Sequence, residues 1–169
     1  MANEQNNEII KPFLDFTREV IVNDNDELYQ YILCWISSII QNPGEKTKTS
    51  LVLKGLQGIG KNVWTNELAE LLAGYSCPNV IEIAELTGQF NSIVEVKMLI
   101  VLNELKNVGD DRTANFDALK KIITDSTIRI NEKNQPRRTA ENVANFIFVT
   151  NYTYPVKIEI GDRRYVVCD

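Results

Sequence analysis

Residues 50–62 read SLVLKGLQGIGKN. The first five, SLVLK, have the make-up of a short buried strand. They pass at once into GLQGIGKN at 55–62, and an amphipathic helix is expected over Asn62–Leu72. Trp64, Leu68, Leu71 and Leu72 share its apolar face, and Gly74 is placed to end it. A glycine-rich turn between a strand and a helix is the setting a phosphate-binding P-loop requires. Gly55, Gly58 and Gly60 let the backbone curl until its N–H groups converge, with Gln57, Ile59 and Val63 in the same cradle. The positive end of the helix adds its field there. Lys61 supplies a point charge for the outer phosphates. Asn62 stands where Ser or Thr usually follows the lysine, and its carbonyl oxygen reaches a Mg²⁺ ion differently from a hydroxyl. A glycine-rich turn with an incidental lysine would share the local pattern.

Working outward, the chain before this stretch reads as helix. Residues 9–22 carry Phe13, Leu14, Phe16, Val20, Ile21 and Val22, a weak helical pattern. A clearer one follows Asp26, an expected N-cap, with Leu28, Ile32, Trp35, Ile36 and Ile39 at helical spacing. Asn42-Pro43-Gly44 ends it. After the loop, strands are expected at Val80–Ile83, Met98–Leu102, Phe146–Thr150 and Arg164–Cys168. Helices are expected at Gly88–Val94 and Thr113–Ile123. Nearly continuous apolar strands separated by helices imply a parallel sheet covered on both faces.

The chemistry gathers at the expected strand ends. Asn103 and Glu104 follow MLIVL directly, and Asn151 follows FIFVT. An acid at such a tip orients and deprotonates a water beside a phosphate, and a neutral amide on the next strand contacts the outer phosphate. Asn62, Asn103 and Glu104 are the candidate Mg²⁺ ligands; Asn103 in place of the usual Asp leaves one negative charge fewer. Strand tips at one edge of an open α/β sheet are where ligands bind.

TIRINEKNQPRRTAEN, residues 127–142, reads as a β-hairpin with Lys133 near its tip. Arg129, Lys133, Arg137 and Arg138 could grip nucleic-acid phosphates without reading sequence, although a solvated surface hairpin would have the same composition. Arg163 and Arg164 follow Asp162, either as a surface ion pair or as an arginine finger serving a neighbouring subunit.

Composition sets limits. A chain of 169 residues fits one domain able to bury a core. Histidine is absent, which removes Ser-His-Asp and Cys-His catalysis. Cys34, Cys77 and Cys168 are odd in number and lack C-x-x-C spacing, so buried free thiols in a reducing compartment are expected. The net charge of −5 argues against a protein that coats DNA with its whole surface. No apolar run is long enough for a bilayer, and the N-terminus lacks the pattern of a signal peptide. A cytoplasmic or nuclear site is expected, without membrane contact.

The phosphate loop GLQGIGKN, the strand end VLNE, the segment ALKKIITDSTIRINEK and the strand FIFVTN together resemble superfamily 3 helicases. The likeness is to the helicase part of viral and plasmid primase-helicases, from about Leu51 to Val167. The resemblance implies an α/β P-loop NTPase (AAA+-like) core, with a five-stranded mainly parallel sheet between helices and an inserted β-hairpin. It implies ATP and Mg²⁺ as cofactors, and single-stranded DNA or a forked duplex as partner. It further implies a homo-oligomeric ring, usually a hexamer, and a primase domain or protein nearby. Lys61, Glu104, Asn151 and Arg163 or Arg164 take the catalytic positions, with Lys120 the lysine of the helix before the hairpin and Lys133 the tip. The function expected is an ATP-dependent DNA helicase motor for replication. Residues 1–45 would form a helical collar or packing segment, and 46–169 the core without a lid. A P-loop kinase and a nucleotide-gated assembly or DNA-binding module that barely hydrolyses are the alternatives.

Overall fold

The computed structural model describes residues 4–103, 112–151 and 161–169. Helix α1 spans Glu4–Phe16 with Pro12 inside it. It runs into one wider, π-helical turn at Thr17–Ile21, closed by Val22 N–H to Thr17 O. Helix α2 spans Asp26–Gln41. Its cap is Asn25 rather than Asp26: the Asn25 side chain accepts from Leu28 N–H at 3.0 Å. An extended Asn one residue earlier satisfies the free N–H, and Asp26 and Glu27 then sit favourably in the first turn.

Strand β1 (Ser50–Lys54) leads through the glycine loop into α3 (Lys61–Leu71). Strand β2 spans Ser76–Val80, four residues before the expected start. It carries Pro78 and is largely exposed, so it lacks the apolar signature of a central strand. It lies at the sheet edge and pairs with one irregularity between Cys77 and Val80, a position where proline is tolerated. The expected helix at 88–94 is instead α4 (Ala84–Thr87) and a single 3₁₀ turn at Ser92–Val94. Strand β3 (Leu99–Asn103), helix α5 (Arg112–Thr124), the antiparallel pair β4 (Thr127–Ile130) and β5 (Arg138–Glu141), and strands β6 (Asn145–Thr150) and β7 (Tyr165–Cys168) follow.

The main sheet has five strands in the order β2-β3-β6-β1-β7, every pair parallel. Successive residues point to opposite faces, so each strand feeds two cores. Val52, Ile100, Leu102, Phe146 and Phe148 pack under α4, α5 and the hairpin residues Ile128 and Ile130. Leu51, Leu53, Val101, Ile147 and Val149 pack under α2, α3 and the π-turn residue Ile21. The result is a three-layer α/β domain. Lys54 of β1 pairs with Thr150 of β6, and Asn103 of β3 with Val149, so the carboxyl ends of the three central strands lie side by side.

Candidate functional site

Beyond β1 the glycine loop arches over the carboxyl edge. Gly60 adopts a left-handed conformation (φ 95°) and forms the N-cap of α3, where no side chain satisfies the first-turn N–H groups. Open donors at a helix start, aimed at a cleft, suit an anion. The cleft has a volume of about 290 Å³ and is lined by Gln57, Gly58, Gly60, Lys61, Asn62, Val63, Val149, Thr150 and Asn151.

Lys61 sits at its floor, 6% exposed. Its ammonium donates to Gly55 O at 2.8 Å, Leu56 O at 2.7 Å and Asn151 Oδ1 at 3.0 Å. Three neutral oxygens occupy its three protons, and among the described residues no carboxylate pairs with it. Burial lowers its pKa. A buried cation without a counter-charge is costly, and it gains sharply when an anion enters. Lys61 also ties the loop to the tip of β6, so Lys61 and Asn151, 90 residues apart in sequence, meet as the strand-end pattern requires.

Asn103 ends β3 with its Nδ2 donating to Pro78 O (3.2 Å) and Asn79 Oδ1 (3.1 Å). Its Oδ1 is buried and has no hydrogen-bond partner among the described residues. Asn62 is exposed in the first turn of α3. Asn62 lines the cleft, and an amide oxygen is a ligand type that Mg²⁺ accepts beside waters and phosphate oxygens. Among the described residues no three His, Cys, Asp or Glu gather to hold a metal. Glu104 lies outside the described residues.

The cations away from the cleft divide into two groups. Arg129, Lys133, Arg137 and Arg163 are exposed. Arg138, expected to face nucleic acid, binds Glu95 through Nε (2.9 Å) and Nη2, and Glu132 at 2.9 Å. The lowered pKa of Glu95 follows from this pair. Arg164 folds back on Asp162 through two bonds of 2.8 Å, and that contact holds the Asp162 carboxyl below its usual range. Lys120 pairs with Asp117 at 3.2 Å. These partners make Arg138 and Arg164 parts of the local framework rather than free arms. Asn91, not singled out in the sequence, anchors the hairpin: its Nδ2 donates to Arg129 O and its Oδ1 accepts from Asn131 N–H. All three cysteines are free, but Cys34 is exposed, against expectation, while burial pushes Cys168 up to about 12.

A family of unknown function, DUF5906, matches over residues 53–164, which include the glycine loop, β3, α5, the hairpin and β6. The chain belongs to this family. The chain is similar to the DNA primase-polymerase of Nitratiruptor phage NrS-1, 34% identical over 138 residues, covering 80% of this chain and 19% of that protein. The chain thus spans about a fifth of that relative. The apo C-terminal region of NrS-1 superposes with a TM-score of 0.82 at 32% identity, over 95% of this chain and 37% of that one. A second apo form of the same region gives 0.79 at 30% identity over the same shares. These matches overturn the helicase motor expected from sequence. The similarity runs into the C-terminal region of a primase-polymerase, and the DUF5906 family carries no assigned activity. The hexameric ring rested on the helicase resemblance alone. Among the described residues no helix is long and apolar enough to cross a membrane.

Proposed function

We propose that this DUF5906 domain binds the phosphate chain of a nucleoside triphosphate, ATP or a dNTP, at the carboxyl edge of its sheet. In this reading it is a nucleotide-holding part of a DNA-replication protein of the primase-polymerase kind. The observation that carries the proposal is Lys61, buried beneath a cleft of about 290 Å³ at the start of α3, with no carboxylate partner among the described residues. A buried cation at a helix start beside a glycine-rich turn supports an anion site, and several converging N–H groups would suit a polyphosphate.

Gly58 and Gly60 would present backbone N–H groups to the phosphates, and Lys61 would exchange its carbonyl partners for phosphate oxygens. Asn151 would orient the outermost phosphate. Asn62 would steady a Mg²⁺ that supplies further positive charge to the phosphates. The reading covers binding and orientation of the nucleotide. The replication setting is supported by similarity to the phage primase-polymerase. Within it, Arg129, Lys133 and Arg137, exposed along the hairpin, are the proposed contacts to DNA phosphates.

Calorimetric titration with ATP and with tripolyphosphate, each with Mg²⁺, tests this. The wild-type chain should bind both, since the contacts are to phosphate. Lys61→Ala should weaken both by about ten- to a hundredfold, the scale of lost hydrogen bonds to a charged group. A wild-type chain that binds neither ligand contradicts the proposal.

A further inference from the structure

The glycine loop does not stand alone. Phe16, the last residue of α1, lays its ring against Gly60, where a Cβ would stand 2.7 Å from Phe16 Cζ and 3.2 Å from Cε2. Gly60 therefore needs glycine twice over, for its φ of 95° and for the ring above it. One helical turn on, Trp64 of α3 is stacked on Phe13, with ring centroids 5.8 Å apart and planes 6° from parallel. Trp64 Nε1 donates to Thr17 Oγ1 at 2.8 Å, and Thr17 Oγ1 donates to Phe13 O at 2.7 Å. Thr17 and Trp64 are essentially buried, at 0% and 1% exposed. These contacts all fall where α1 widens into the π-turn at 17–21, a local irregularity of the kind that sets side chains for a particular task.

We infer that Phe16 is a positioning residue of the phosphate site: its ring fixes Gly60, and so the first N–H groups of α3, in the form that receives the anion. Phe13 and Thr17 bind Trp64 of α3 and so hold this end of α1, with Phe16 in it, against the helix that Gly60 caps. The N-terminal segment then supports the glycine loop from behind, since none of its residues lines the cleft. Because Phe16 touches the loop and not the cleft, its effect must pass through the loop backbone. Coupling of this kind is reciprocal: a ligand that orders the loop also steadies residues 13–22. The inference rests on the phosphate-binding reading and deepens it.

The test combines hydrogen exchange with affinity, using tripolyphosphate with Mg²⁺ as probe on the whole chain. In the wild type, saturating probe should slow exchange at the amides of residues 13–22 as well as at the loop. Phe16→Ala should raise the Kd for tripolyphosphate about tenfold and remove that slowing, and Phe16→Leu should restore most of both. Lys61→Ala separates the two readings. If the wild type binds the probe and Lys61→Ala does not, the phosphate site stands; unchanged exchange at residues 13–22 then overturns the inference about Phe16, whether or not Phe16→Ala folds. An unchanged Kd in a folded Phe16→Ala chain overturns it equally. A wild-type chain that binds no probe overturns the phosphate site itself, and the role of Phe16 with it.

Discussion

Two regions of this domain carry positive charge, and they handle it in opposite ways. The glycine loop buries one lysine among neutral oxygens, with no acid at hand among the described residues. The hairpin exposes Arg129, Lys133 and Arg137 to water and neutralises Arg138 with Glu95 and Glu132. Desolvation makes the first charge expensive and selective, whereas solvent and counter-ions make the second set cheap and general. On the proposed reading, the contrast suits the loop to one anion in one geometry and the hairpin to a passing phosphate backbone.

The comparison can be broken most directly at Lys61. Lys61→Met should abolish most triphosphate binding while leaving the ligand-free fold as stable or slightly more stable, because it removes a buried charge that has no carboxylate partner among the described residues. Thermal melting with and without ATP reads both effects; a large loss of ligand-free stability would show the lysine to be structural. Next in size is Gly60→Ala, which places a methyl against the Phe16 ring at a backbone conformation alanine disfavours. It should cost about 1–3 kcal/mol in denaturant unfolding, and a neutral result would deny the close packing.

On the hairpin, Lys133→Ala or Arg137→Ala should each lower the salt slope of single-stranded DNA binding by about 0.7, with no change in melting temperature. Arg138→Ala should do the reverse, shifting stability with little change in slope. If Arg138 proves the stronger DNA contact, the division drawn here fails.

The smallest effect concerns Lys46, whose ammonium donates to Ile122 O and Asp125 O at the end of α5. Burial lowers its pKa from 10.5 to about 8. Between those values the unfolded chain binds more protons than the folded one, so the contribution of Lys46 to stability rises with pH. Cys168 and Tyr165, both pushed up to about 12, act in the opposite sense above pH 9. The stability difference between wild type and Lys46→Met, followed by denaturant unfolding from pH 7.5 to 10, isolates the lysine. It should move in favour of the wild type as pH rises; a flat difference would refute the shift.

Much of the sheet was legible because its central strands are apolar on both faces: β1 and the pairing of loop with strand tip followed from SLVLK-GLQGIGKN and FIFVT-N. Strand β2 was misplaced because an edge strand with Pro78 and exposed residues carries no such signature. The cap of α2 was missed because Asn25 and Asp26 are both good caps, and only the bond to Leu28 N–H decides between them. Partners remote in sequence were hidden: Arg138 meets Glu95, and Gly60 meets Phe16, through folding alone. The helicase resemblance rested on short motifs, and short motifs constrain a local turn and its neighbours more than the protein that houses them. Glu104, on which a hydrolytic reading depended, lies outside the described residues.

The central claim is that Lys61, buried and without a carboxylate partner among the described residues, is the cation of the proposed phosphate site. Nitrogen NMR of its ammonium, titrated with pH in the free chain and with tripolyphosphate and Mg²⁺, tests it without reference to any activity. The account predicts a free-state pKa below the ordinary lysine value that climbs when the probe binds. An ordinary pKa that stays unchanged with the probe would contradict it.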